Sequence, residues 1–136
     1  MKQLEVQTDW CGKNYAAYIY HPSFGLVTAT ARTWEELEHA AAEALAFHIE
    51  GCKADEDKLP DWIEQGEYNL VFTKRTSVLL HEIMQYTNFL ALSKATGIKQ
   101  AQLSHYATGR TTPRPEQRQR IVEGMHKIGR ACLNFA

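Results

Sequence analysis

Leu92-Ser93-Lys94-Ala95-Thr96-Gly97-Ile98-Lys99-Gln100-Ala101-Gln102-Leu103-Ser104-His105-Tyr106-Ala107-Thr108-Gly109-Arg110-Thr111-Thr112-Pro113 decides how the second half of the chain folds, because two short helical patterns meet in it at one glycine. The spacing predicts a helix-turn-helix. Leu92 and Ala95 face inward from the first helix, Gly97 supplies positive φ at the turn, and Ile98 plugs the angle between the helices. Leu103, Tyr106 and Ala107 return to the core at i, i+3 and i+4. Gln100, Ala101, Ser104, His105 and Thr108 then share the outer face of the second helix, beside Lys99 and Arg110. Short amides and hydroxyls on an exposed helix flanked by cations suit a DNA major groove.

Helical patterns continue on both sides of this motif. Thr76 or Ser77 caps a helix reaching Tyr86, with Leu79, Leu80 and Ile83 as its apolar stripe. Thr87-Asn88 caps the next, from Phe89 to about Thr96. Gly109 ends the second helix of the motif, and Pro115 opens a longer one in which Ile121, Met125, Ile128 and Cys132 recur at heptad-like spacing. The second half is thus read as all-α.

The charge distribution separates this half from the one before it. Residues 1 to 73 hold 5 Lys/Arg against 13 Asp/Glu, a net of −8, whereas residues 74 to 136 hold 10 against 3, a net of +7. The overall charge of −1 conceals the reversal. With 136 residues there is material for two small cores, so the sequence divides into domains at 1–73 and 76–136. A basic half suits a polyanion, and an acidic half suits a basic partner.

The acidic half begins with strand patterns. Leu4 and Val6 alternate with polar residues, and after the turn-prone Asp9 to Asn14 segment Tyr15, Ala17 and Ile19 alternate with Ala16, Tyr18 and Tyr20. Pro22 and Gly25 mark a second turn ahead of a third strand, Leu26 to Ala31. Thr33-Trp34-Glu35-Glu36 is a capping box, in which each end of the motif would bond the backbone N–H of the other. It starts a helix whose stripe is Leu37, Ala41, Ala44, Leu45 and His48, with Gly51 as its stop. Residues 53 to 61 read as an exposed loop, and Tyr68 to Phe72 as a returning strand. The expected order is β-β-β-α-β, and the expected fold class of the whole chain is α+β.

Two resemblances follow from these motifs. The Ala17-Tyr18-Ile19 strand, the Pro22 to Gly25 turn, the Thr33-x-Glu35-Glu36 helix start, Glu43-Ala44-Leu45 and Leu59-Pro60 resemble the N-terminal domain of HicB-type antitoxins over about residues 2 to 72. That resemblance implies a truncated ribonuclease-H-like fold. The chain departs from the family's usual Gly-Asp-Thr with Ala31-Arg32-Thr33, and Leu37 stands where Ala is usual. Residues 76 to 130 resemble the lambda-repressor-like (XRE) DNA-binding domain through Leu92, Gly97, Ile98, Leu103, Ser104, Tyr106, Gly109 and Pro113. Ser93 and Thr96 depart from that pattern.

By position, the second resemblance places Lys99, Gln100, Ala101 and His105 against base edges, with Gln102 on the neighbouring helix surface. Asn88, Arg110 and Arg114 would hold phosphates. The expected partners are palindromic operator DNA read by a homodimer, with tetramers open, and a small basic HicA-like toxin. Asp55, Glu56, Asp57, Asp61 and Trp62 are the toxin-binding candidates, since acids beside an exposed aromatic suit such an interface. The expected function is that of a type II antitoxin that neutralises an RNA-cleaving toxin and represses its own operon. The alternative is a stand-alone XRE-type repressor whose N-terminal domain senses a ligand or oligomerises.

A nuclease is the third possibility, but Asp55-Glu56-Asp57 stand consecutively, and consecutive acids do not converge on a metal as acids from separate strands do. No His-Glu-x-x-His, Gly-x-Ser-x-Gly or phosphate-loop pattern occurs, and no enzyme, metal or cofactor is expected. Cys11, Cys52 and Cys132 fit neither a disulfide framework nor a zinc site. With no apolar run near the roughly 20 residues of a membrane span and no signal-peptide pattern, the expected location is cytoplasmic and away from membranes.

Overall fold

A computed structural model describes residues 1–135. Their elements are β1 (Lys2–Trp10), β2 (Tyr15–His21), β3 (Gly25–Ala31), α1 (Trp34–Ala54), α2 (Asp61–Glu64), β4 (Tyr68–Lys74), α3 (Thr76–Ile83), α4 (Phe89–Thr96), α5 (Gln100–Ala107) and α6 (Pro115–Leu133). The fold is α+β, with one four-stranded mixed sheet and six helices among the described residues. The chain forms two compact units: Met1–Asp9 with Lys13–Arg75, and Trp10–Gly12 with the residues from Thr76 on.

In the sheet unit the strand order is β3-β2-β1-β4. β2 and β3 pair antiparallel, Ile19 opposite Val27, while β1 and β4 run parallel, Val6 opposite Phe72. The period of two puts Leu4, Val6, Ala17, Ile19 and Val27 on one face, where α1 covers β2 and β3 with Leu37, Ala41, Leu45 and Ile49. These side chains are all buried. Thr8 is buried among them without penalty because its hydroxyl donates to Thr73 O at 2.8 Å. The opposite face is open and carries Glu5, Gln7, Tyr18, Tyr20, Leu26 and Arg75 around a shallow concavity. Arg75 ties that face together, bonding Asp9 at 3.1 Å and Gln7, with its guanidinium 5.8 Å from the Tyr18 ring centroid.

Three features differ from the sequence expectation. Thr33 caps α1 as expected, accepting the Glu36 N–H at 3.2 Å, but the helix passes through Gly51 to Ala54. It ends instead at Glu56, which takes the left-handed conformation with φ 57°. The Glu56 N–H donates to Lys53 O and the Asp57 N–H to Cys52 O, the bond pattern of a Schellman stop with glutamate where glycine is usual. The expected loop also closes with a short helix, α2, held by the fully buried Ile63, so the order is β-β-β-α-α-β. Finally, α3 ends at Ile83 rather than Tyr86, which is 84% exposed.

The helical unit packs α3 through α6 around Leu80, Leu92, Ile98, Leu103, Tyr106 and Ile121, with Ile83, Met84, Phe89, Met125 and Ile128 at the margin. Cys132, expected on the inner stripe of α6, is exposed because the helix runs on beyond that core. Trp10 belongs to this unit. Its ring stacks on His81 at 3.7 Å between centroids, and its backbone N–H donates to the buried Ser77 hydroxyl at 2.9 Å. α4 and α6 approach tightly at Gly124, where a Cβ would come nearer than 3.0 Å to the Thr96 methyl.

Candidate functional site

The helical unit builds its outer surface from the turn between α4 and α5. Asn88 caps α4, its side-chain oxygen accepting the Ala91 N–H at 2.8 Å. Gly97 ends α4 with φ 75°, the left-handed conformation that the sequence called for. Thr96 fixes the turn from both sides: its hydroxyl donates to Leu92 O at 2.7 Å and accepts the Ile98 N–H at 3.1 Å. Arg120 donates to Thr96 O at 3.0 Å. The Thr96 hydroxyl thus does turn-forming work that a methyl group cannot do.

Leu103 and Tyr106 are buried, which turns the opposite side of α5 outward. Lys99, Gln100 and Ala101 are exposed at its N-terminus, and Gln102 and His105 are half-buried. Lys99 stands at the N-cap position and makes no side-chain cap, so its side chain leaves the first-turn N–H groups of α5 uncapped. Arg110 and Arg114 are exposed after the helix, and an Arg110 nitrogen lies 3.5 Å from His105 Nε2. Amide donors and acceptors, a methyl group, an imidazole and several cations therefore share one surface. It can offer paired hydrogen bonds to base edges and charge to phosphates.

Other basic residues of α6 have local structural partners. Arg118 donates to the buried Thr76 hydroxyl at 3.0 Å, and Arg120 bonds Gln117 as well as Thr96. These arginines stitch α6 to α3 and α4. Lys127 and Arg130 are exposed.

The acidic candidates lie together at the end of α1 and the start of α2. Asp55 is the C-cap of α1, Glu56 and Asp57 follow on its exposed end, and Asp61 opens α2. Trp62 departs from the expected exposed aromatic. It is half-buried, with its ring edge-on to His21 at 5.6 Å and Lys2 Nζ 5.3 Å from its centroid. The exposed aromatic near the acids is Phe47, at 83%, which lines a shallow hollow with Phe24, His48, Cys52, Asp55 and Asp57. An isolated phenylalanine in a helix carries no sequence signal of exposure, which is why the pattern did not single it out.

The histidines and the buried cysteine of this region have structural partners. His48 Nε2 lies 2.7 Å from Phe24 O, and His21 Nδ1 lies 2.7 Å from the Ser23 hydroxyl. Burial pushes the Cys52 thiol above its ordinary value, and the carboxylates of Asp57 and Asp55 push it further. No group of His, Cys, Asp and Glu able to hold a metal ion occurs among the described residues. None of their helices is long and apolar enough to cross a membrane. Compared with protein-family models, with curated proteins and with solved structures, the chain matches none.

Proposed function

We propose that the protein is an antitoxin of a HicA/HicB-like pair that also represses its own operon. In this reading the sheet unit is a truncated ribonuclease-H-like domain and the helical unit a lambda-repressor-like one. The observation that carries it is the α4–Gly97–α5 turn. Leu92, Ile98, Leu103 and Tyr106 lock it from inside while Lys99, Gln100, Ala101 and His105 stand together outside. Gln100 is placed to pair with an adenine edge and Ala101 to meet a thymine methyl, each good bidentate pair discriminating by about 1–3 kcal/mol. Arg110, Arg114 and the amide of Asn88 hold phosphates and set register. A dimer places two such helices on a palindrome.

The acidic end of α1 and α2 supports the second activity. A toxin that cleaves RNA needs a basic surface, and Asp55, Glu56, Asp57 and Asp61 around the half-buried Trp62 attract such a surface and speed its capture. Glu56 holds a left-handed backbone that glycine would adopt more cheaply, an arrangement expected where the side chain matters more than the turn.

Co-expression with the neighbouring gene's small basic product, followed by pull-down and a growth assay, tests this function. Capture of that product and relief of its toxicity are expected. Operator binding without any such capture makes the chain a stand-alone repressor. Metal-dependent cleavage of RNA by the purified protein, lost on changing Asp55 and Asp57, contradicts the assignment outright.

A further inference from the structure

We propose that the β3 edge of the sheet unit is a self-association surface, at which two copies of the chain pair antiparallel across a two-fold axis near Thr28. β3 is an outer strand of the sheet, so one side of its backbone has no strand partner among the described residues. Natural sheets protect such edges with charges, prolines or bulges. Gly25-Leu26-Val27-Thr28-Ala29-Thr30-Ala31 has neither charge nor proline, and its seven residues pair with β2 in continuous register.

The helix beside this edge adds an exposed aromatic ring. Phe47, 83% exposed, lies with Gly25, Phe24 and Gly51 on the β3 side of α1. Helical spacing puts Ala40, Ala44 and Gly51 on the same flank, at seven, three and four residues from Phe47. An exposed apolar ring therefore lies beside the start of an uncharged strand, with Glu43 and Glu50 four and three residues from it and Asp55 and Asp57 lining the same hollow.

The charge pattern selects the occupant. β3 carries no acid of its own, so two copies of a half-chain with net −8 can meet along it without setting like charges against each other on the strand. The ends of the strand are self-complementary as well. Asp55 and Asp57 lie near Gly25 at its start, whereas the exposed Arg32 follows its end. Antiparallel pairing brings Arg32 of each copy towards Asp55 and Asp57 of the other. Glu56, Asp61 and Trp62 remain available to a basic partner.

The axis falls at Thr28 because that register pairs all seven residues, setting Leu26 against Thr30 of the second copy. Thr28 is exposed and lies on the side of the sheet away from α1, so its substitution leaves the core intact.

Light scattering on the full chain tests the proposal. Thr28→Lys sets two like charges opposite each other across the axis and should halve the mass of the wild-type particle while leaving its circular dichroism unchanged. A wild-type protein that is monomeric at tens of micromolar, or a T28K variant of undiminished mass, overturns the proposal. Register is tested with Thr28→Cys and Thr30→Cys, each in a Cys11→Ser/Cys132→Ser background that keeps the wild-type mass. Under mild oxidation T28C should form a disulfide-linked dimer, its Cα atoms being about 5 Å apart across the axis. T30C should not, because its two copies are separated by roughly 14 Å along the strand. Cross-linking of T30C but not T28C contradicts the register and the axis.

Discussion

Replacing Gly124 by alanine probes a tight approach of α4 and α6 in the helical unit, where two opposing effects of known size meet. In a solvated helix the change gains about 1 kcal/mol of helix propensity. At Gly124 the new methyl would press on the Thr96 methyl at less than 3.0 Å. Thr96 cannot swing aside cheaply, because its hydroxyl already donates to Leu92 O and accepts the Ile98 N–H. Forcing an extra carbon into such a contact costs about 1–3 kcal/mol, so Gly124→Ala should destabilise the unit by about 1 kcal/mol net. Gly129, on the same helix, has nothing within 4 Å of its would-be Cβ, and Gly129→Ala should gain about 1 kcal/mol. Native-state hydrogen exchange of the most protected α4 and α6 amides reads both values without interference from the sheet unit. Thr96→Ser keeps both hydroxyl bonds and removes the obstructing methyl. In a double-mutant cycle it should recover about 1–2 kcal/mol for Gly124→Ala. A Gly124→Ala variant as stable as Gly129→Ala, or a cycle with no coupling, would refute the packing account.

Other parts of the account make their own demands. Glu56→Gly should stabilise the sheet unit by about 0.5–1 kcal/mol by relieving the left-handed glutamate, while weakening capture of the toxin; thermal melts and pull-down check the two halves of that trade. At pH 8 a maleimide should label the exposed Cys11 and Cys132 quickly and Cys52 slowly, since burial and then Asp57 hold its thiol protonated. Asp57→Asn should speed the slow phase, as mass spectrometry would show. The raised thiol value also means that the protonated group's contribution to stability is complete below its ordinary value of 9.0 and is lost as pH rises past it. Arg110→Ala should weaken operator binding evenly across sequences and flatten its salt dependence by about one unit of slope, measured by titration at several salt concentrations. Trp10→Ala, removing the stacked ring from His81, should cost the helical unit about 1–3 kcal/mol by hydrogen exchange.

The turn at Gly97 was legible because its signals are local: a glycine that needs positive φ, an asparagine cap, and apolar spacing on either side. The sheet order has no such local signature, yet the strands themselves were readable because β1 alternates with period two, β2 is rich in aromatic residues and β3 in β-branched ones. The end of α1 misled for a physical reason. Gly51 has open space around it and is tolerated inside the helix, while the residue that stops the helix is a glutamate in a conformation that sequence patterns assign to glycine. α2 is a single turn whose formation depends on burying Ile63, a tertiary event. Trp10 gave no hint of its place, since its partners Ser77 and His81 lie 67 and 71 positions along the chain. Among the site residues, the outward set on α5 followed from periodicity alone. Trp62 is half-buried rather than exposed because its packing against His21 and Lys2 is a tertiary event with no local sequence signal.

The central claim is that the outer face of α5 reads the protein's own operator. Footprinting on the DNA upstream of its gene tests this most directly, comparing the wild type with a Gln100→Ala/His105→Ala variant at fixed salt. The account predicts protection of a palindrome by the wild type, and by the variant only weak protection that does not distinguish the palindrome from neighbouring sequence. An unchanged footprint from the variant, or no sequence preference in the wild type, would contradict it.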